Sequence, residues 1–225
     1  HVLGLMLALA RNLHESARLQ ARSSWERFTA IAFGGGIREL NGSNLAILGA
    51  GAIGASLAKL GSALGMNVRI MRRRPGRPVA GAEAVVGQEQ KLELLAWADF
   101  VVLATPLTKE TENLIDRDAL RAMKPSAHLI NIARGEVVDD QALLDALRSG
   151  AIAGAGLDTF REEPLPASSP YWALPNVIVT PHVSGYTQRY FERTVELFRD
   201  NLRRFVAGER LRNVVDKKLG YVAED

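Results

Sequence analysis

The chain has 225 residues, enough for one large domain or one and a half ordinary ones. With 47% hydrophobic and 24% charged residues it reads as a globular protein able to bury a core, and a net charge of +3 makes no demand for nucleic acid or an anionic membrane. The absence of cysteine excludes disulfides, thiolate metal sites and a cysteine nucleophile, and it fits a reducing, cytoplasmic setting.

Val2 to Ala10 is the first apolar run. It is too short to span a bilayer, and no basic segment precedes it as in a signal peptide. It reads as a buried helix that continues through Arg11-Asn12-Leu13-His14 to about residue 20. Its small polar face predicts packing between domains or subunits. The helix opens with no cap and no polar lead-in, so residue 1 is not expected to be the natural start. Residues 21–43 read as irregular, with turn chemistry at Gly34-Gly35-Gly36 and Asn41-Gly42-Ser43.

Asn44-Leu45-Ala46-Ile47-Leu48 is an apolar strand that runs into Gly49-Ala50-Gly51-Ala52-Ile53-Gly54. A helical pattern follows at Ala55, Leu57, Ala58, Leu60 and Leu64, closing near Gly61 to Gly65. Strand, Gly-x-Gly-x-x-Gly and helix in that order point to dinucleotide binding. Gly49 allows the sharp turn, Gly51 lets a pyrophosphate approach the backbone, and Gly54 lets the helix pack close to the strand. The helix N-terminus then offers unpaired N–H groups to the phosphates.

Asn67 to Met71 reads as a second strand and Ala84 to Val86 as a short third, with Pro75, Gly76 and Pro78 breaking the chain between them. Glu89 to Trp97 is a short amphipathic helix. Phe100 to Ala104 and Leu129 to Ala133 are apolar throughout, the mark of strands buried on both faces. Asp118 to Met123 is a helical turn stopped by Pro125, and Asp139 to Arg148 is a helix closed by Gly150. Gly154 to Asp158 and Val177 to Thr180 are the last strands, and Thr187 to Ala207 is a long final helix with Phe191, Val195, Phe198 and Leu202 on one stripe. Alternating strands and helices predict an α/β fold, a doubly wound parallel sheet of Rossmann type. Ligands bind such sheets at the carboxyl ends of the strands, which collects Thr105, Arg134, Asp158 and His182 as polar strand-end residues.

The residue after the second strand selects the cofactor. NAD enzymes usually carry Asp or Glu there for the ribose hydroxyl; this chain has Met71-Arg72-Arg73-Arg74. Guanidinium forks at Arg72 and Arg73 suit a 2′-phosphate, which favours NADP with NAD still open; a solvated basic loop is the bland alternative. Arg134, just past a buried strand, can bind a substrate carboxylate and polarise a neighbouring carbonyl, or can simply brace the next helix. Asp158 and Glu163 are candidate carboxylates, and His182 follows the last strand in Thr180-Pro181-His182-Val183-Ser184-Gly185. A histidine beside a carboxylate becomes a proton donor near neutrality. His14 and His128 are expected to be structural. Tyr171, Trp172 and Tyr186 are as well explained by packing as by substrate contact.

Several of these stretches together resemble the cofactor domain of the D-isomer-specific 2-hydroxyacid dehydrogenases. They are Leu48 to Gly54, Pro106 to Thr111, Met123-Lys124-Pro125, Asn131 to Asp139, Gly150 to Ala155, Leu157-Asp158 with Glu163-Pro164, and Thr180-Pro181-His182. The opening helix with Leu7 to Arg11 and the tail from Asn201 to Asp216 are similar too. The resemblance implies that Arg134 binds a 2-oxo acid, His182 is the acid/base and Glu163 orients it. It implies that Asp158 contacts the nicotinamide carboxamide. Ala52 and Ile53 would lie against the pyrophosphate, and Ile132 and Ala133 along the nicotinamide, with Gly185 closing the cofactor set. Formate-oxidising relatives place glutamine where this chain has Glu163, which argues against that branch. No metal is implied.

Two departures stand out. Arginine replaces the acidic residue of NAD-using members, as in NADP-using glyoxylate and hydroxypyruvate reductases. Family members also carry a front segment of about 100 residues, a domain's worth, which this chain lacks. The expected organisation is therefore residues 1–185 as the dinucleotide-binding domain and 186–225 as a C-terminal segment returning to an incomplete substrate domain. The expected function is hydride transfer between NAD(P)H and a small 2-oxo or 2-hydroxy acid; the alternative is a non-catalytic sensor or corepressor-like scaffold. Without the other cleft wall these 225 residues are expected to bind cofactor weakly and catalyse poorly. Exposed apolar surface on the first and last helices predicts a homodimer.

Overall fold

The computed structural model describes residues 1–25, 36–218 and 220–222. They form two compact units, His1–Pro181 and His182–Asp225.

The first unit is built on seven parallel strands: β1 Asn44–Leu48, β2 Asn67–Met71, β3 Ala84–Val86, β4 Phe100–Leu103, β5 His128–Asn131, β6 Gly154–Leu157 and β7 Val177–Val179. Their order across the sheet is β3-β2-β1-β4-β5-β6-β7, with every pairing parallel. Successive side chains of a strand point to opposite faces, so each buried strand feeds two cores. Ala46, Leu48, Val101, Leu103 and Leu129 pack on one face with Leu94, Leu95, Leu120 and Leu143. These come from helices α4 Lys91–Trp97, α5 Arg117–Ala122 and α6 Asp140–Ser149. Leu45, Ile47, Phe100, Val102 and Ile130 pack on the other face with Met6, Leu9, Leu57 and Ala58. These come from α1 Val2–Ala10 and α3 Ala52–Ala63. Burial on both faces is what the unbroken apolar runs recorded.

Helix ends follow local chemistry. The carboxylates of Asp116 and Asp139 cap α5 and α6 by accepting from the amides of Ala119 and Ala142. Gly150 closes α6 at φ 72°, a left-handed position where a side chain is strained.

The opening segment departs from expectation. It is not one helix to residue 20 but two, α1 Val2–Ala10 and α2 Leu13–Ala21. Asn12 interrupts them at φ 51°, a conformation asparagine tolerates, and its side-chain amide donates to the Gly36 carbonyl at 2.8 Å. One face of α1 packs on the sheet of its own unit, where Val2, Leu5, Met6 and Leu9 are buried over β5 and β6. Several strands also stop one or two residues early, so Ala104, Asp158 and Thr180 lie just past the ends of β4, β6 and β7. The helix read over Glu89 to Trp97 opens as a 3-10 turn, Gln88–Gln90, before α4. The expected turn at Gly34-Gly35 lies outside the described residues.

The second unit holds α7 Tyr190–Val206 and a short antiparallel pair, β8 Val215–Asp216 with β9 Tyr221–Val222, which the sequence reading missed. The helix starts three residues later than expected, after a turn in which the Arg189 amide donates to the Thr187 hydroxyl. Phe191, Val195, Phe198, Leu202 and Phe205 line one side of α7, and no residue of α7 is buried. Among the described residues, no helix is long and apolar enough to cross a membrane.

Candidate functional site

The carboxyl edge of the sheet gathers the polar strand-end residues of the first unit. At β1 the chain turns through Gly49 at φ 115°, where a Cβ would come within 2.5 Å of the Ala104 carbonyl oxygen. The turn thus needs glycine twice over, for its backbone angle and for β4 beside it. At Gly54 a Cβ would lie 1.9 Å from the Gly49 carbonyl oxygen and 3.3 Å from an Ile47 methyl, so α3 sits directly against β1. Gly51, the cap residue of α3, has open space where its Cβ would be, and Ala52 and Ile53 after it are exposed. Backbone N–H groups at this helix start have an unobstructed approach for an anion.

Arg72 is the first residue past β2, and its amide donates to the Val86 carbonyl at 3.1 Å. Arg73 beside it is exposed. The Thr108 side chain, and to a lesser degree the Arg73 charge, hold the exposed Glu110 carboxyl below the usual carboxylate range. Past β4, the Thr105 hydroxyl is buried and has no hydrogen-bond partner among the described residues. The loop that follows is pinned by Thr111, whose hydroxyl donates to the Pro106 carbonyl at 2.7 Å and accepts from the Thr108 amide at 2.8 Å.

Past β5, Ile132 and Ala133 are buried and Arg134 is exposed. Asn131 sets this loop: its side-chain oxygen accepts from the Ala133 amide at 3.0 Å, and its amide donates to the Arg134 carbonyl at 2.9 Å. The Arg134 guanidinium donates to the Ala133 carbonyl at 2.6 Å. A Cβ on Gly135 would meet the Phe160 carbonyl carbon at 2.0 Å, so the β5 and β6 loops touch backbone to backbone. In the β6 loop, Glu163 accepts from the Phe160 amide at 2.9 Å. Arg161 ties the same loop to the Asn113 side chain and the Val138 carbonyl. The loops carrying Arg134 and Glu163 are therefore neighbours.

Asp158 is fully buried and accepts from the Thr180 hydroxyl. The Thr159 hydroxyl beside it is buried without a partner among the described residues. His182 and Gly185 belong to the second unit; both are exposed, and His182 has a left-handed backbone at φ 51°.

His14, His128 and Tyr171 stand apart from this chemistry. Burial pushes His14 below its ordinary value. Burial, with the charge of Arg38, pushes His128 down to about 4, and its ring stacks on Phe100 at 5.5 Å. Tyr171 is buried and donates to the Asp140 carboxylate at 2.9 Å; burial and that charge raise its phenol well above its usual range. Trp172 donates to the Pro166 carbonyl at 2.9 Å.

The sequence reading missed Asn131, Gly135, Arg161, Thr180 and His1 as organising residues. Asn131 alone carried a signal, as a polar residue in an otherwise apolar strand. A dinucleotide fits the residues present: an open glycine turn, an exposed apolar Ile53 at the helix start, and the unpartnered Thr105 hydroxyl at the neighbouring strand end. Among the described residues, no three histidine, aspartate or glutamate side chains group closely enough to hold a metal ion.

Comparisons with known proteins match the fold and identify the family. Residues 3–184 match the model of the D-isomer specific 2-hydroxyacid dehydrogenase NAD binding domain. A glyoxylate reductase from Pyrococcus furiosus is 41% identical over 97% of this chain and 65% of its own length. A glycerate dehydrogenase from Methylorubrum extorquens is 39% identical over 96% of this chain and 67% of its own. A D-isomer specific 2-hydroxyacid dehydrogenase from Xanthobacter autotrophicus, solved in complex with NADPH and MES, superposes with a TM-score of 0.85 at 36% identity. That match covers 98% of this chain and 87% of the solved one. The chain spans slightly less than two thirds of the length of the first curated relatives it matches. The chain belongs to the D-isomer specific 2-hydroxyacid dehydrogenase family, matched through that family's NAD binding domain.

Proposed function

We propose that the protein is an NADP-preferring 2-hydroxyacid dehydrogenase that reduces a small 2-oxo acid. The observation that carries this reading is the touching loops of the carboxyl edge, Arg134 on one and Glu163 on the other, at the same edge of the sheet as the open glycine turn. A reduced nicotinamide, when bound, would supply the hydride for the substrate carbonyl carbon. Arg134 holds the substrate carboxylate and polarises the carbonyl oxygen. Protonated His182 gives its proton to that oxygen, and in the reverse direction neutral His182 takes it back. Glu163 is the carboxylate assigned to orient His182 for that transfer. Gly49, Gly51, Ala52, Ile53, Gly54 and Thr105 cradle the pyrophosphate side, with Ile132, Ala133, Asp158 and Gly185 toward the nicotinamide.

Arg72 and Arg73 take the 2′-phosphate, a reading supported by the absence of a carboxylate after β2 and by the NADPH bound to the Xanthobacter relative. Residues 1–185 form the dinucleotide-binding domain and 186–225 return to the substrate domain. The protein acts in the cytoplasm, and it does so as a homodimer, the dimer being supported by the exposed apolar stripe of α7.

The test is NADPH oxidation by the full-length protein with glyoxylate and hydroxypyruvate. Turnover with either is expected, and His182→Gln nearly abolishes it while NADPH binding survives. Equal loss of binding and turnover in that variant removes the acid/base role. No turnover with any 2-oxo acid favours a dinucleotide sensor.

A further inference from the structure

Asp158 is a fully buried carboxylate, and a buried charge is tolerated only when other groups satisfy it. Its partners come from two distant parts of the chain. Asp158 and Thr180 are the first residues past β6 and β7, which pair in register with Leu157 opposite Val179. The Thr180 amide donates to the Leu157 carbonyl at 2.9 Å, and its hydroxyl donates to Asp158 Oδ1 at 2.5 Å. His1 arrives from the start of α1, with Nε2 3.1 Å from Thr180 Oγ1 and 3.5 Å from Asp158 Oδ1.

The packing of α1 explains that arrival. A Cβ on Gly156 would meet the Leu5 side chain at 3.2 Å, so glycine there lets the helix lie close to β6 without adjustment. The buried residues Leu5, Met6 and Leu9 hold α1 there, and the helix start is delivered to the carboxyl edge. The direction of the hydrogen bonds follows. A hydroxyl has one proton, and Thr180 gives it to the ionised carboxylate. Toward His1 it can only accept, so the His1 proton sits on Nε2.

We infer that His1 and Thr180 are positioning residues that fix the Asp158 carboxylate for the carboxamide of a bound nicotinamide. This rests on the reading of Asp158 as the carboxamide contact. A donor chain from helix to strand end to carboxylate holds the acceptor in one orientation and offsets its burial.

The test compares NADPH with its 3-acetylpyridine analogue, in which a methyl group replaces the carboxamide NH2. Dissociation constants on the full-length protein are read, so the result does not depend on turnover. The unmutated protein prefers NADPH. His1→Leu and Thr180→Val each reduce that preference about tenfold, the scale of one charge-assisted hydrogen bond. His1→Gln and Thr180→Ser, which keep a donor in place, stay within about threefold of the unmutated ratio on the same scale. A purely structural role would weaken both ligands alike and leave the ratio unmoved.

Asp158→Asn separates the two levels. If it collapses the preference while His1→Leu and Thr180→Val do not, the positioning inference is overturned and the Asp158 reading stands. If Asp158→Asn leaves the preference intact, both fall. Should His1→Leu fail to fold, the Thr180→Val and Thr180→Ser pair decides.

Discussion

The two edges of the sheet use polar residues differently. At the amino edge they tie strand to strand. Asp99 accepts from the Asn44 amide and from Lys124, each at 2.9 Å, and the Asn44 side chain donates to the Trp97 carbonyl. Asn67 donates to Asn44, and His128 is kept neutral by burial against Phe100. At the carboxyl edge, Asn131 and Gly135 shape loops that hold Arg134 at the surface, while the Thr105 and Thr159 hydroxyls are buried without partners among the described residues. One edge spends its polar groups on the fold; the other holds them at the ends of braced loops, where chemistry can use them.

The sharpest way to break this contrast is at Arg134. Arg134→Ala is expected to lower kcat/KM for the 2-oxo acid by about 10²–10³-fold, the scale of losing one preorganised donor in the transition state. NADPH affinity is expected to change little. A loss below tenfold in steady-state kinetics would remove Arg134 from the chemistry.

Gly54→Ala comes next. Its Cβ would sit 1.9 Å from the Gly49 carbonyl oxygen, so either α3 or the glycine turn must shift. Overpacking of this kind costs about 1–3 kcal/mol, and NADPH affinity should fall by roughly tenfold or more. Fluorescence titration reads it, and unchanged affinity would mean the turn does not carry the pyrophosphate. Replacing Arg72 and Arg73 together by serine should lower the NADPH-to-NADH affinity ratio about tenfold through lost charge-assisted contacts. An unchanged ratio would make that loop an ordinary solvated one.

The smallest effect belongs to the amino edge. Burial lowers His128 from 6.5 to about 4, so between those values the unfolded chain binds more protons than the folded one. Stability therefore falls as pH drops through that window, by up to about 1.4 kcal/mol per pH unit. His128→Leu should flatten this acid loss in denaturation curves and leave NADPH affinity as it was. An unchanged acid slope would contradict a neutral, buried His128, and a large affinity loss would blur the division between the edges.

Legibility in the sequence followed locality. Asn44–Leu48 and Phe100–Leu103 are buried on both faces, so their apolar runs name them without help. The glycine turn was readable because Gly49 and Gly54 each answer a constraint within a few residues or at the adjacent strand. The break at Asn12 was not, because a left-handed residue interrupts an apolar pattern that otherwise continues, and its support is the distant Gly36 carbonyl. His1 and Thr180 were invisible as partners because 179 residues separate them and the packing of α1 on the sheet, Leu5 against Gly156 included, brings them together. Arg134 was legible by its position past a strand, whereas the Gly135 contact that aligns its loop depends on Phe160, which no spacing rule connects to it.

A crystal structure of the full-length protein with NADPH tests the central claim most directly. It should show the pyrophosphate over Gly51, the carboxamide in hydrogen-bond reach of Asp158, and Arg134, Glu163 and His182 facing the nicotinamide C4. A dinucleotide bound away from the carboxyl edge, or those three side chains facing unrelated surfaces, would contradict the account.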